Sequence, residues 1–152
     1  MKAVGIILAG GSSNKLKALA RKRAAAAMPI AGSYRAIDFT LSNMSNSHMS
    51  TVAVLTQYNS RSLSEHLSSA KWWDFGRKQG GLYVFTPTIT SDNSFWFRGT
   101  ADAICQNLDF LKNGISHTLL FHQAMPFTRW TMKKCWNTMW KRKQILQLFV
   151  KS

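Results

Sequence analysis

The chain has 152 residues, of which 45% are hydrophobic and 17% charged, and its net charge is +14. That length suits one domain with a single core, and that hydrophobic fraction excludes a disordered chain. Two cysteines, Cys105 and Cys135, exclude a disulfide scaffold, and no apolar run approaches the ~18 residues of a membrane span.

The N-terminal MKAVGIILAGG pairs a basic residue with an apolar run, as a secretion signal does. The run is short and enters a glycine turn with no A-x-A-type site, so a buried strand is the better reading and the cytoplasm the expected compartment. AVGIILA, closed by Gly10-Gly11, has the form of a parallel strand buried on both faces. KALARKRAAAAM favours a helix until Pro29. In YRAIDFTLSNMSNS the front half reads as a turn and the back half as a helix, with Asp38 suited to the N-cap. TVAVLTQY reads as a second buried strand, and RSLSEHLSSAKWW as an amphipathic helix with Leu63 and Leu67 on one face.

GLYVFTPTI is a third strand. GTADAICQNLDFLKNG is then a helix capped by Thr100, with Ala103, Leu108 and Leu111 near its buried side and Gly114 as its C′ residue. Strand, glycine loop, helix, strand, helix, strand, helix is the alternation of an open parallel α/β sheet.

LAGGSSNKL follows the first strand, at the sheet end where such folds bind ligands. Two adjacent glycines let backbone N–H groups approach an anion, and Lys15 could neutralise a phosphate; a tight turn without ligand explains the spacing equally well. The loop is neither the G-x-G-x-x-G of dinucleotide binders nor a P-loop. GTADA at 99–103 offers a second backbone turn at a helix start, where Asp102 either binds a metal or complements the helix dipole, the second being the commoner role. His48, His66, His117 and His122 have no partners at metal spacing. Trp72-Trp73 either stacks a base or packs, and packing is the plainer reading.

GIILAGG…KRAAAAMPIAGSYRAIDFTLSNMSNS, VAVLTQYNSRSLSEHL, WWDFGRKQGGLYVFTPT and WFRGTADAICQNLDFL stand in this order over residues 2–114. Together they resemble glucose-1-phosphate adenylyltransferase, the sugar nucleotidyltransferase of bacterial glycogen synthesis. The resemblance implies a Rossmann-like nucleotidyltransferase domain followed by a left-handed β-helix. It also implies a Mg²⁺-dependent reaction of ATP with glucose 1-phosphate to give ADP-glucose and pyrophosphate. Carried over by position, Leu8, Ala9, Gly10 and Gly11 border the nucleotide, while Gln57, Gly99 and Thr100 meet its adenine and ribose side. The family assembles as homo-tetramers, or as hetero-tetramers in which a catalytic subunit is the partner.

Two departures stand out. The family's G-G-x-G-x-R-L loop has Ser13 for its third glycine and Lys15 for its arginine, so a point charge replaces a bidentate fork. Ala25 stands where the family's R-A-K-P carries a phosphate-facing lysine. Both changes remove charge or geometry from the place where pyrophosphate charge develops, as in a catalytically degenerate, regulatory-type subunit.

Past Gly114 the resemblance stops and the character of the chain changes. Residues 1–114 hold 13 Lys and Arg against all 6 acids, and residues 115–152 hold 7 against none, so each segment carries +7. The family continues with a strand and a G-D-x-x-Y turn whose aspartate holds Mg²⁺, and SHTLLFHQAMPFTRW has no such aspartate. The genetic code supplies a test, because Trp and Met have single codons. Reading from each codon's third base, Met125-Pro126 becomes Ala and Trp130-Thr131 becomes Asp. Met132-Lys133, Trp136-Asn137 and Trp140-Lys141 each become Glu. The remaining codons permit SGDAVYKMDYEKVLEYHVEK from His122 onward, which contains the missing turn.

The expected organisation is therefore a partial nucleotidyltransferase domain over 1–114 and a frameshift-derived basic tail over 115–152. The expected chain has no catalytic or metal residues of its own, no cofactor, weak nucleotide binding, no membrane association and exposed sheet edges. The alternative is a basic module binding nucleic acid through the Lys/Arg/Trp-rich tail, with a steep salt dependence.

Overall fold

The computed structural model describes residues 3–11, 16–17, 21–76, 80–88, 96–113 and 118–123. Its first strand, β1 (Ala3–Leu8), is followed by a 3-10 turn at Ala25–Ala27, the two-residue strands β2 (Pro29–Ile30) and β3 (Tyr34–Arg35), and helix α1 (Ala36–Asn46). Then come β4 (Thr51–Leu55), α2 (Arg61–Leu67), a 3-10 turn at Ala70–Trp73, β5 (Gly81–Phe85), α3 (Thr100–Gln106), α4 (Leu108–Asn113) and β6 (Thr118–Gln123).

The main sheet is parallel, in the order β5-β4-β1-β6. The three apolar runs read from the sequence form two of its pairings, β1 with β4 and β4 with β5, with Val4 through Leu8 opposite Thr51 through Leu55. β1 is buried on both faces because the strand period sends its residues to two different layers. Ile7 and Ala9 join Val52, Val54, Ile37, Leu41, Met44, Leu63 and Leu67 on the side covered by α1 and α2. Val4 and Ile6 join Leu55, Phe97 and Ala103 on the side of α3. Each wholly buried Ile or Leu here stabilises the fold by about 1.5–3 kcal/mol.

Gly5 sits in the first layer because a Cβ there would stand 2.7 Å from the sulfur of Met44. Its absence lets α1 settle on β1. Gly80, at φ +101°, turns the chain into β5 where a Cβ would meet the Ser50 carbonyl oxygen.

Several local expectations change in the folded chain. Over residues 21–28, KALARKRAAAAM is not an α-helix: Ala24 is extended at φ −57° and ψ 142°, and Ala25–Ala27 turn in 3-10 fashion. Ala24, Ala26 and Ala27 are buried beside α1 and α2, so their small side chains serve close packing instead of helical propensity. Asp38 is not the N-cap. The helix starts two residues earlier, and Asp38 at its third position accepts the Arg35 N–H at 2.8 Å, the reaching-back half of a capping box.

Thr100 likewise does not cap its helix. Gly99 takes that place, and Asp102 reaches back to accept the Arg98 N–H at 2.9 Å. The expected single helix is two, because the Asn107 side chain donates to the Ala103 carbonyl at 2.8 Å and competes with the backbone ladder. The break leaves Leu108 exposed at 39%. Gly114, expected as a C′ residue, lies outside the described residues.

β6 lies beyond residue 114 and adds a fourth strand, with Ala3 opposite Thr118 and Leu8 opposite Gln123. Its place next to β1, on the side away from β4, creates the point where strand order reverses. In open α/β sheets the crevice for ligands opens there, at the carboxyl ends of the strands.

Candidate nucleotide site

Four elements converge on that crevice. β1 delivers Leu8 and runs on through Ala9, whose N–H donates to the Leu55 carbonyl at 2.8 Å. β4 likewise extends by one residue, the Thr56 N–H donating to the Phe85 carbonyl at 2.9 Å. These two bonds carry the ladders to the rim and fix the residues that follow, Gly10-Gly11 on one strand and Gln57-Tyr58 on the other.

Gln57 crosses between them. Its Nε2 donates to the Gly10 carbonyl at 3.3 Å, and its side chain lies 3.4 Å from where a Gly10 Cβ would stand. The Gln57 Oε1 is buried without a hydrogen-bond partner. An unpaired buried acceptor costs about 1–3 kcal/mol, so a donor arriving on a ligand has that much to recover.

Gly11 and Gly99 differ from the packing glycines. A Cβ on either would meet nothing within 4 Å, and neither has the left-handed backbone that favours glycine, Gly99 being extended at φ 176°. Among the described residues the fold does not require glycine at these positions, so packing does not account for it there.

Gly99 and Thr100 reach the same layer through their neighbours, since Phe97 and Ala103 are buried against Val4, Ile6 and Leu55. Trp96 leans on Tyr58, with ring centroids 5.1 Å apart and planes tilted by 32°, and both rings are substantially exposed. No spacing in the sequence signals this pair; Trp96 adjoins Phe97, which is buried against Val4, Ile6 and Leu55.

Leu8, Ala9, Gly10 and Gln57 are therefore assembled in one place, with Gly99 and Thr100 linked to them through the Tyr58–Trp96 contact. Ser13 and Lys15 lie outside the described residues. Ala25 occupies the short 3-10 turn, and the Arg21 carbonyl nearby accepts from Asn59 Nδ2 at 3.3 Å.

The remaining candidates take structural roles. Asp102 is engaged by the Arg98 N–H and by Gln106 Nε2 at 3.0 Å. Asp38 Oδ1 lies 2.7 Å from His66 Nε2, and Glu65 pairs with Arg61 at 3.1 Å. No group of three His, Cys, Asp or Glu stands together among the described residues. The donor set present there does not fit a divalent cation. Trp73 is buried against the edge of His66, while Trp72 is 82% exposed, so the pair splits between core and surface. No helix among the described residues is long and apolar enough to cross a membrane.

Comparison with known proteins follows the same lines. The nucleotidyl transferase family profile matches residues 4–144. The chain is 46% identical over 108 residues to a glucose-1-phosphate adenylyltransferase of Clostridium novyi, covering 71% of this chain and 28% of that protein. It is 44% identical over 117 residues to one of Thermotoga sp. strain RQ2, covering 77% of this chain and 28% of the relative. A structure described as a glucose-1-phosphate thymidylyltransferase from Bacillus anthracis, in complex with a sucrose, superposes with a TM-score of 0.65. That likeness covers 93% of this chain and 52% of the other at 16% identity, and it concerns the fold. The chain spans 28% of the length of these adenylyltransferases.

Proposed function

The chain belongs to the nucleotidyl transferase family, and we propose that it corresponds to the N-terminal portion of a glucose-1-phosphate adenylyltransferase subunit. Its own capacity is weak binding of an adenine nucleotide, ATP or ADP-glucose, without turnover. The observation that carries this reading is the Gln57–Gly10 contact at the carboxyl ends of β4 and β1, flanked by Gly11 and Gly99, whose missing side chains leave room for a ligand. Backbone N–H groups of the Gly10-Gly11 turn serve the phosphates, and Gln57, Gly99 and Thr100 serve the base and ribose.

Intact members of such an enzyme would bring Mg²⁺ to neutralise the phosphates of ATP. In this chain Asp38, Glu65 and Asp102 are committed to helix caps and pairings, and no chemical step is assigned to a metal here. With Ala25 and Lys15 in place of a lysine and an arginine, the subunit type is the regulatory, catalytically degenerate one that acts beside an active partner. We place it in the cytoplasm.

We further propose that the family's fold continues through β6 and that the codons from about His122 onward are read in a shifted frame. The string SGDAVYKMDYEK then sets its aspartate at the position after Gln123, the residue opposite Leu8 in the sheet. The reading of the basic tail as a nucleic-acid module is set aside, since its charge is incidental in a shifted frame.

Calorimetric titration with ATP, together with an assay for ADP-glucose from ATP, glucose 1-phosphate and Mg²⁺, tests the proposal. Binding without product is expected. Mg²⁺-dependent product would remove the claim of inactivity, and absence of any ATP binding would remove the site. Sequencing codons 114–125 decides the frame: an uninterrupted frame with unrelated codons refutes the shift.

A further inference from the structure

Behind the crevice, α1 grips α2 at two points. Arg35 Nη1 donates to Ser62 Oγ at 3.0 Å and also to the Ser62 carbonyl, while Asp38 Oδ1 meets His66 Nε2 at 2.7 Å. Ser62 and His66 are four residues apart, hence one turn apart on the same face of α2. Arg35 and Asp38 are themselves coupled, the backbone N–H of one donating to the carboxylate of the other at 2.8 Å. Asp38 is 7% exposed, so removing these partners would leave a buried carboxylate without them.

The position of this grip matters. Thr56 is pinned to β5 through its N–H, and Ser62 is pinned to Arg35, leaving Gln57–Arg61 as a short span fixed at both ends. Within the span, the contacts of Gln57 with Gly10 and of Asn59 with Arg21 are both long, at 3.3 Å. The shorter, partly buried contacts of Arg35 and Asp38 are the stronger restraint on where the span lies.

We infer that Arg35, Asp38, Ser62 and His66 are positioning residues for the nucleotide crevice: they hold α2 so that Gln57 stays over Gly10. The functional half of this inference rests on the nucleotide reading above; the positional half does not. None of the four residues lines the crevice, so their effect on a ligand passes through Gln57.

Hydrogen exchange on the full chain separates the two halves. The variants are Ser62→Ala combined with Arg35→Met, and His66→Leu with His66→Gln as the conservative comparison. Exchange at residues 64–68, where the Ser64 and Ser68 N–H groups donate to the Ser60 and Ser64 carbonyls of α2, is expected to rise about tenfold, with β1 and β4 amides unchanged and His66→Gln close to the parent. ATP affinity, measured by calorimetry, is expected to fall about tenfold in step with that loosening. Unchanged exchange at 64–68 in the combined Arg35→Met and Ser62→Ala variant and in His66→Leu overturns the positioning role, as does a uniform rise across the sheet. Loosening at 64–68 in a chain whose parent binds no ATP keeps the positioning role and sinks the nucleotide reading instead.

Discussion

The sulfur of Met44 lies 2.7 Å from the point a Cβ on Gly5 would occupy, so helix α1 packs on strand β1 through the space a side chain would fill. Met44 is fully buried and Met49 closes the same pocket, its sulfur 3.2 Å from that point. Gly5→Ala is therefore expected to destabilise the fold by about 1–3 kcal/mol, toward the lower end because methionine bends readily. A denaturant titration showing no change would contradict this packing.

Ala31 holds φ at +47° in the turn between β2 and β3, beside Gly32 at +85°. The left-handed region costs a side-chain-bearing residue roughly 1–2 kcal/mol, part of which glycine gives back through its unfolded-state entropy. Ala31→Gly is expected to stabilise the chain by about 0.5–1 kcal/mol. A lower denaturation midpoint in this variant would mean that the turn is not strained.

Asp102 acts as a cap. Replacing it with alanine removes the acceptor that Asp102 offers to the Arg98 N–H and to Gln106 Nε2, and about 1 kcal/mol of stability is expected to be lost. Addition of Mg²⁺ should shift the melting of the parent and of Asp102→Ala equally. A Mg²⁺ stabilisation present in the parent and lost in the variant would give Asp102 back its metal role.

Gly11→Ala separates packing from binding. A methyl group there meets nothing within 4 Å, so stability should stay within about 0.5 kcal/mol of the parent. ATP affinity measured by calorimetry should fall at least several-fold, because the methyl occupies the ligand's path to the backbone. Undiminished affinity would move the nucleotide away from this turn.

What the sequence disclosed was local or patterned. The runs at β1, β4 and β5 were legible as strands, the first two because a strand buried on both faces is written in consecutive apolar residues, and the glycines after β1 marked the rim. The Gly99-Thr100 turn was legible as a helix start suited to a ligand, whereas Gln57 was legible only through a resemblance, since nothing in its spacing points to Gly10. The alanine-rich stretch and the long helix after Gly99 were misread for one reason. Propensity describes a segment alone, whereas burial of Ala24, Ala26 and Ala27 and the bond from Asn107 to Ala103 decided the backbone in context.

Sequence by itself thus determined the alternating α/β order, the glycine turn and the abrupt change to a basic, acid-free tail. Tertiary structure decided which residues meet. Strand order set β1 between β4 and β6, bringing Gln57 to Gly10 and Trp96 to Tyr58, and the packing of α1 on α2 joined Arg35 and Asp38 to Ser62 and His66. Such contacts join residues 27 to 47 positions apart, where no helical or strand period reaches.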